Sequence, residues 1–147
     1  MHLASVLSSV ILLSSITSIS QAANAAIQKC ASNGYLVTAT VVDSAGLVIA
    51  VVRTDGAAPH TIDASRRKAY TSASAKNSTS AMLATSQSTP AAQNLGQIDG
   101  FLLLAGGVPI SSGGTVVGAI GVGGAPGGPL DEECALAGIE KIKDRLN

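Results

Sequence analysis

Between Tyr35 and Asp43, the apolar residues Val37, Ala39 and Val41 alternate with Thr38 and Thr40, the period-two pattern of a β-strand. The turn-forming run Asp43-Ser44-Ala45-Gly46 follows, and Leu47 to Val52 returns as an almost wholly apolar segment, so the pair predicts a hairpin. Upstream, Ile19, Ala22, Ala23, Ala26, Ile27 and Cys30 recur at the spacing of an amphipathic helix, with Asn33-Gly34 as its stop. Downstream, Arg53-Thr54-Asp55-Gly56 ends the second strand, and Pro59 or Thr61 opens a long helix that runs through Ala75. Residues 77–99 mix Ser, Thr, Gln, Asn and Pro90 with scattered Met82, Leu83 and Leu95, which suits short helical turns and loops.

From Gly100 to Leu130 no residue is charged and eleven of the thirty-one are glycine. The apolar runs Phe101–Leu104, Val108–Ile110 and Thr115–Val122 stand out within it and predict three more strands. Asp131 is placed to cap a last helix whose Ala135, Ile139, Ile142 and Leu146 share one face. The resulting order is helix, two strands, helices, three strands, helix. It predicts an α+β domain with one five-stranded, mainly antiparallel sheet and helices packed upon it. A doubly wound nucleotide fold would need helices alternating with parallel strands, whereas here the strands come in blocks.

Composition narrows the function. At 147 residues the chain suits one domain, taken as residues 17–147. A hydrophobic content of 46% and a mean hydropathy of +0.40 exclude a disordered tail, and Gly, Ser and Thr interrupt every apolar stretch before it reaches the length of a membrane span. Nine basic residues balance nine acidic ones, which removes the phosphate attraction that nucleic-acid binders use. Tyr35, Tyr70 and Phe101 are the whole aromatic set, so the core must be packed from small aliphatic side chains. Zero net charge also gives little repulsion against self-association.

No charged side chain precedes Lys29, and Leu3 to Ile16 has the length and apolarity of a secretory leader core, so residues 1–16 read as a signal peptide. The competing reading is an uncleaved start, since the region before Leu3 carries only His2 and the amino terminus for charge. The alanine cluster Ala22-Ala23-Asn24-Ala25-Ala26 belongs to the first helical pattern, so a cut falls nearer residue 16.

Candidate chemistry is sparse. The glycine-rich run lacks the third glycine of a dinucleotide fingerprint, because Pro126 stands in its place, and no Gly-Lys-Ser/Thr follows. Its glycines serve either tight turns and close backbone approach or a backbone wall for a flat ligand. His60, the one histidine beyond residue 2, is either a solvated group at a helix start, or a metal or haem axial ligand, or a general base. Arg66, Arg67 and Lys68 fall within one helical turn and cannot share a face. Arg66 or Arg67 either clamps a ligand carboxylate or pairs with Asp43, Asp55 or Asp63. Cys30 and Cys134 are either two buried thiols or a disulfide, which would require the first and last helices to be neighbours. No serine-hydrolase or zinc-protease motif is present.

Five ordered blocks carry a resemblance: Val41-Val42-Asp43-Ser44-Ala45-Gly46, Arg53-Thr54-Asp55-Gly56, Arg67-Lys68-Ala69-Tyr70-Thr71, Gly106-Gly107-Val108-Pro109-Ile110, and Val117-Gly118-Ala119-Ile120-Gly121-Val122-Gly123-Gly124-Ala125. Together they resemble the haem-binding GlcG/HbpS family from about residue 18 to residue 145. The chain is most similar to small exported members with cysteines matching Cys30 and Cys134, which implies a periplasmic or secreted protein. The resemblance further implies a profilin-like α/β sandwich, homo-oligomers, and binding of haem or a related tetrapyrrole. Its site would draw on His60, Arg66, Arg67, Tyr70, Gly106, Gly107 and Pro109. Some haem-binding relatives use a histidine in the first helix; this chain has none between residues 3 and 59, so ligation would fall to His60, to Tyr70 or to a partner subunit. Two other classes remain: an enzyme or accessory acting on cobalamin or a small organic acid, and a structural self-assembly module.

Overall fold

A computed structural model describes residues 18–146, so the leader expected over residues 1–16 lies outside the described residues. The described chain begins with helix α1 (residues 18–32) and the hairpin of β1 (Thr38–Asp43) and β2 (Val48–Arg53). Helices α2 (His60–Ala75) and α3 (Thr79–Ser88) follow, with two single 3-10 turns after them. A second hairpin, β3 (Gly107–Ser112) with β4 (Thr115–Gly123), leads into α4 (Gly128–Ile142) and a last 3-10 turn, Lys143–Arg145. All strand pairs are antiparallel and the order is β2-β1-β4-β3.

The sheet therefore has four strands, not five. Phe101–Leu104 forms no strand because its backbone finds other partners. The Phe101 carbonyl accepts from Arg67 Nη2 at 2.6 Å, Leu102 N–H donates to Thr71 Oγ1 at 2.9 Å, and the Leu104 carbonyl accepts from Thr79 Oγ1 at 2.6 Å. Side chains of α2 and α3 thus satisfy groups that a sheet neighbour would otherwise take. The last helix also starts earlier than expected: Gly127 is its cap, and Asp131 lies inside the first turn.

The two faces of the sheet are built differently. Val37, Ala39 and Val41 of the β1 segment, with Ile120 and Val122 of β4, pack under Ala22, Ala23 and Ala26 of α1 and Ala135 and Ile142 of α4. Those two helices cross closely: a Cβ on Gly138 would sit 2.5 Å from the Ala22 carbonyl oxygen. Cys30 and Cys134 are joined there as a disulfide between helices, with Cα atoms 5.6 Å apart.

On the other face, Thr38 and Thr40 meet α2 through hydroxyl pairs, Thr38 Oγ1 to Thr61 Oγ1 at 2.8 Å and Thr40 Oγ1 to Ser65 Oγ at 2.7 Å. Thr61 and Ser65 already donate to the Ala58 and Ile62 carbonyls. A hydroxyl has one proton, so the strand threonines are the donors. The polar half of the β1 alternation is consequently buried, not solvated. α2 can lie this close because β4 presents Gly121, where a Cβ would fall 2.1 Å from the Ser65 carbonyl oxygen.

Two stability outcomes are expected. The disulfide closes a span of 104 residues, so urea unfolding of the Cys30→Ser/Cys134→Ser chain should show a loss of about 4–5 kcal/mol, from the greater freedom of its unfolded state. Gly121→Ala should cost about 1–3 kcal/mol by the same measurement, because the added methyl forces α2 off the sheet; unchanged stability would contradict the close seat.

Candidate functional site

His60 is the first residue of α2, and its helical neighbours at i+4 and i+8 are Ala64 and Lys68, which share its face. All three line a cavity of about 350 Å³. The opposite wall is the segment from Gly123 to Gly128, including Gly124, Ala125 and Gly127, and Leu104 and Asp131 complete it. Two of these glycines also serve close backbone approach: a Cβ on Gly124 would lie 2.6 Å from the Leu36 carbonyl oxygen and one on Gly128 2.9 Å from that of Ala105. The N-terminus of α4 opens onto the same space.

The cavity contains a buried ion pair. Lys68 Nζ donates to Asp131 Oδ2 at 2.9 Å and to the Val122 carbonyl at 3.0 Å, and both side chains are about 4% exposed. Asp131 Oδ1 also accepts from the Ala125 N–H at 3.0 Å. One carboxylate therefore ties α2 to the glycine-rich wall. Burial holds the Asp131 carboxyl above its usual range, outweighing the attraction of Lys68 and the hydrogen bonds from Lys68 and Ala125, which act the other way.

The other residues singled out from the sequence are spread through the fold. Arg66 is exposed and pairs locally with Asp63 at 2.7 Å. Arg67 is half-buried and held by the Phe101 carbonyl. Tyr70 fills the space between two loops: a Cβ on Gly46 would lie 2.7 Å from its ring and one on Gly100 3.1 Å. Its ring also meets Phe101 edge-on, with centroids 6.2 Å apart. Gly106 and Gly107 lie behind the ion pair, where a Cβ would reach 3.0 Å from Lys68 Nζ and 2.3 Å from the Lys68 carbonyl oxygen. Pro109 is paired with Ala119 in the β3–β4 ladder. Of the residues expected at the site, only His60 lines the cavity.

Lys68 and Asp131 form a pair that the sequence does not announce. The i, i+4, i+8 relation of His60 to Lys68 is legible in it, but the partner 63 residues away is not. Among the described residues no cluster of three metal-ligating side chains exists.

These features define an α+β domain with helices on both faces of an antiparallel sheet and a cavity at the start of α2. The family model described as haem degrading protein HbpS-like matches residues 15–140, and the chain belongs to that family. The crystal structure of HbpS is 38% identical, with a TM-score of 0.80 over 85% of this chain and 86% of that one. Streptomyces reticuli HbpS, solved as a double mutant, gives the same identity and TM-score over 85% and 84%. Klebsiella pneumoniae protein ORFY is 25% identical, with a TM-score of 0.82 over 87% and 89%. A PduOC:heme complex shares the fold at 20% identity, with a TM-score of 0.76 over 86% and 92%. No curated protein matches the sequence.

A carboxyl raised by burial takes up its proton in the folded chain at a higher pH than in the unfolded one. Asp131's share of stability should therefore increase as pH falls through its raised value, and level off below the usual 3.8. Carbon NMR of the Asp131 side-chain carboxyl should show a midpoint above 3.8; a midpoint at or below it would mean that Lys68 outweighs burial.

Proposed function

We propose that the protein binds haem or a related tetrapyrrole at the cavity beside His60, as an exported homo-oligomer. The observation that carries this reading is the position of His60, an exposed residue lining a cavity together with Gly123, Gly124, Gly127 and Gly128. Neutral imidazole is a common axial donor to haem iron, and Ala64 and Leu104 supply apolar contact beside it. Bound haem would supply an iron centre for ligation and redox chemistry. At about 350 Å³ the cavity stands near the lower end of small-molecule sites. It therefore suits one edge of a macrocycle, leaving the rest to solvent or to a second subunit.

Lys68 is the cation nearest this space, but it is committed to Asp131 and Val122. Arg66 is the freer partner for a propionate, since an exposed pair such as Arg66–Asp63 contributes only about 0–1 kcal/mol and exchanges readily. Arg67 would first have to leave the Phe101 carbonyl. Tyr70 is the alternative ligand only if its ring leaves the space between Gly46 and Gly100.

Export is supported by the disulfide, a bond typical of oxidising compartments, and no helix among the described residues is long and apolar enough to cross a membrane. Self-association is supported by the edge strand β2, which leaves Val48 and Val51 exposed on the α2 side of the sheet next to exposed Leu47. The same surface favours the assembly-module reading if no tetrapyrrole binds.

Hemin titration of the purified chain should give a saturable Soret shift. In His60→Ala the affinity should drop about tenfold or more and the band should move, and added imidazole should restore the original spectrum. An unchanged spectrum in His60→Ala would remove this histidine as the ligand, and no hemin uptake by the wild type would end the tetrapyrrole reading.

A further inference from the structure

A second cavity, of about 270 Å³, lies on the α1/α4 side of the sheet and shares no lining residue with the His60 site. It crosses all four strands, from Ile49 on β2 past Val41 on β1 and Val117 on β4 to Ser112 on β3. Three inter-strand gaps of about 4.8 Å make this roughly 14 Å long. Its walls are mainly aliphatic, and among the described residues no acidic side chain lines it.

One end is polar. Arg145 lies there, and its guanidinium donates to Gln21 Oε1 and, at 3.4 Å, to Ser18 Oγ. Both acceptors are neutral. Arg145 forms no ion pair among the described residues, as is also true of Lys29, Arg53, Arg67, Lys76 and Lys141, but of these it alone lines the groove. Ser112 is at the same end, bonded to the Leu146 carbonyl. The groove is thus a greasy channel with a cation at one end that has no carboxylate partner among the described residues.

We infer that this groove binds an unbranched monocarboxylate, a medium-chain fatty acid, with the alkyl chain laid across the strands and the carboxylate on Arg145. A guanidinium grips a carboxylate through two parallel hydrogen bonds, which neither Gln21 nor Ser18 can reproduce. A volume of about 270 Å³ and a span of roughly 14 Å favour a medium-length chain over a long one. Among the described residues no acidic side chain lines the groove, so none opposes the ligand's charge from within it. This inference is independent of the tetrapyrrole reading, because neither His60 nor the glycine wall takes part.

The test is titration of the full chain with decanoate, kept below its micellar range, followed by calorimetry and by NMR of carboxyl-labelled ligand. One saturable site is expected. Arg145→Gln should weaken decanoate about tenfold while leaving decanol binding unchanged, since only the charged bond is lost. Val117→Phe, at an exposed lining position, should weaken both ligands by narrowing the groove. His60→Ala should leave decanoate binding intact, which separates this site from the hemin test. Circular dichroism and urea unfolding of each variant confirm that it is folded.

Three results overturn the inference. The first is that the full chain binds no decanoate, including the case in which its own apolar residues 3–16, which precede the groove-lining Ser18, fill the space. The second is an Arg145→Gln chain that binds decanoate as the wild type does. The third is an affinity that Val117→Phe leaves untouched.

Discussion

The seat of α2 on the sheet is the contact on which the rest of the structure depends. Gly121 and Gly107 offer bare backbone where any side chain would collide with the Ser65 and Lys68 carbonyls. The helix therefore approaches closely enough for Thr38 and Thr40 to reach Thr61 and Ser65, and for Lys68 to reach the Val122 carbonyl. A larger residue on β4 would separate the layers and leave several buried polar groups unpaired, each at a cost of about 1–3 kcal/mol. Close packing and polar satisfaction are one constraint here.

The opposite layer meets the small-residue problem by another route. Alanines on α1 and α4, with Gly138 at their crossing, bring the two helices together at the cost of apolar surface per residue. The Cys30–Cys134 disulfide compensates by limiting the unfolded chain, an effect suited to a domain whose core has few large side chains. One face is thus held by hydroxyls, glycines and an ion pair, the other by aliphatic contact and a covalent link.

The same difference shapes the two cavities. At the start of α2, the buried Lys68–Asp131 pair anchors the glycine wall through the Ala125 N–H and keeps the space beside His60 open. On the α1/α4 side, aliphatic side chains leave a long groove whose only charged group among the described residues is Arg145. The chain belongs to the HbpS-like family, and the first cavity, with His60 at the start of α2 and not in the first helix, is where we propose that a tetrapyrrole binds.

By itself the sequence determined the local structure. Alternation over Val37–Val41, the Asp43–Gly46 turn, the α1 stripe ended at Gly34 and the face shared by Ala135 and Ile142 each depend on neighbours within a few residues, and each is found as expected. Only the tertiary structure decided matters that depend on a distant partner. Phe101–Leu104 is apolar enough for a strand, but Arg67, Thr71 and Thr79 take its backbone groups first. The sequence shows that Arg66, Arg67 and Lys68 cannot share a face but not which one is buried; Asp131 and Val122 arrive from far along the chain to make the burial of Lys68 tolerable. A side chain's periodicity records which face it lies on; whether that face is dry, charged or hollow is settled by what folds over it.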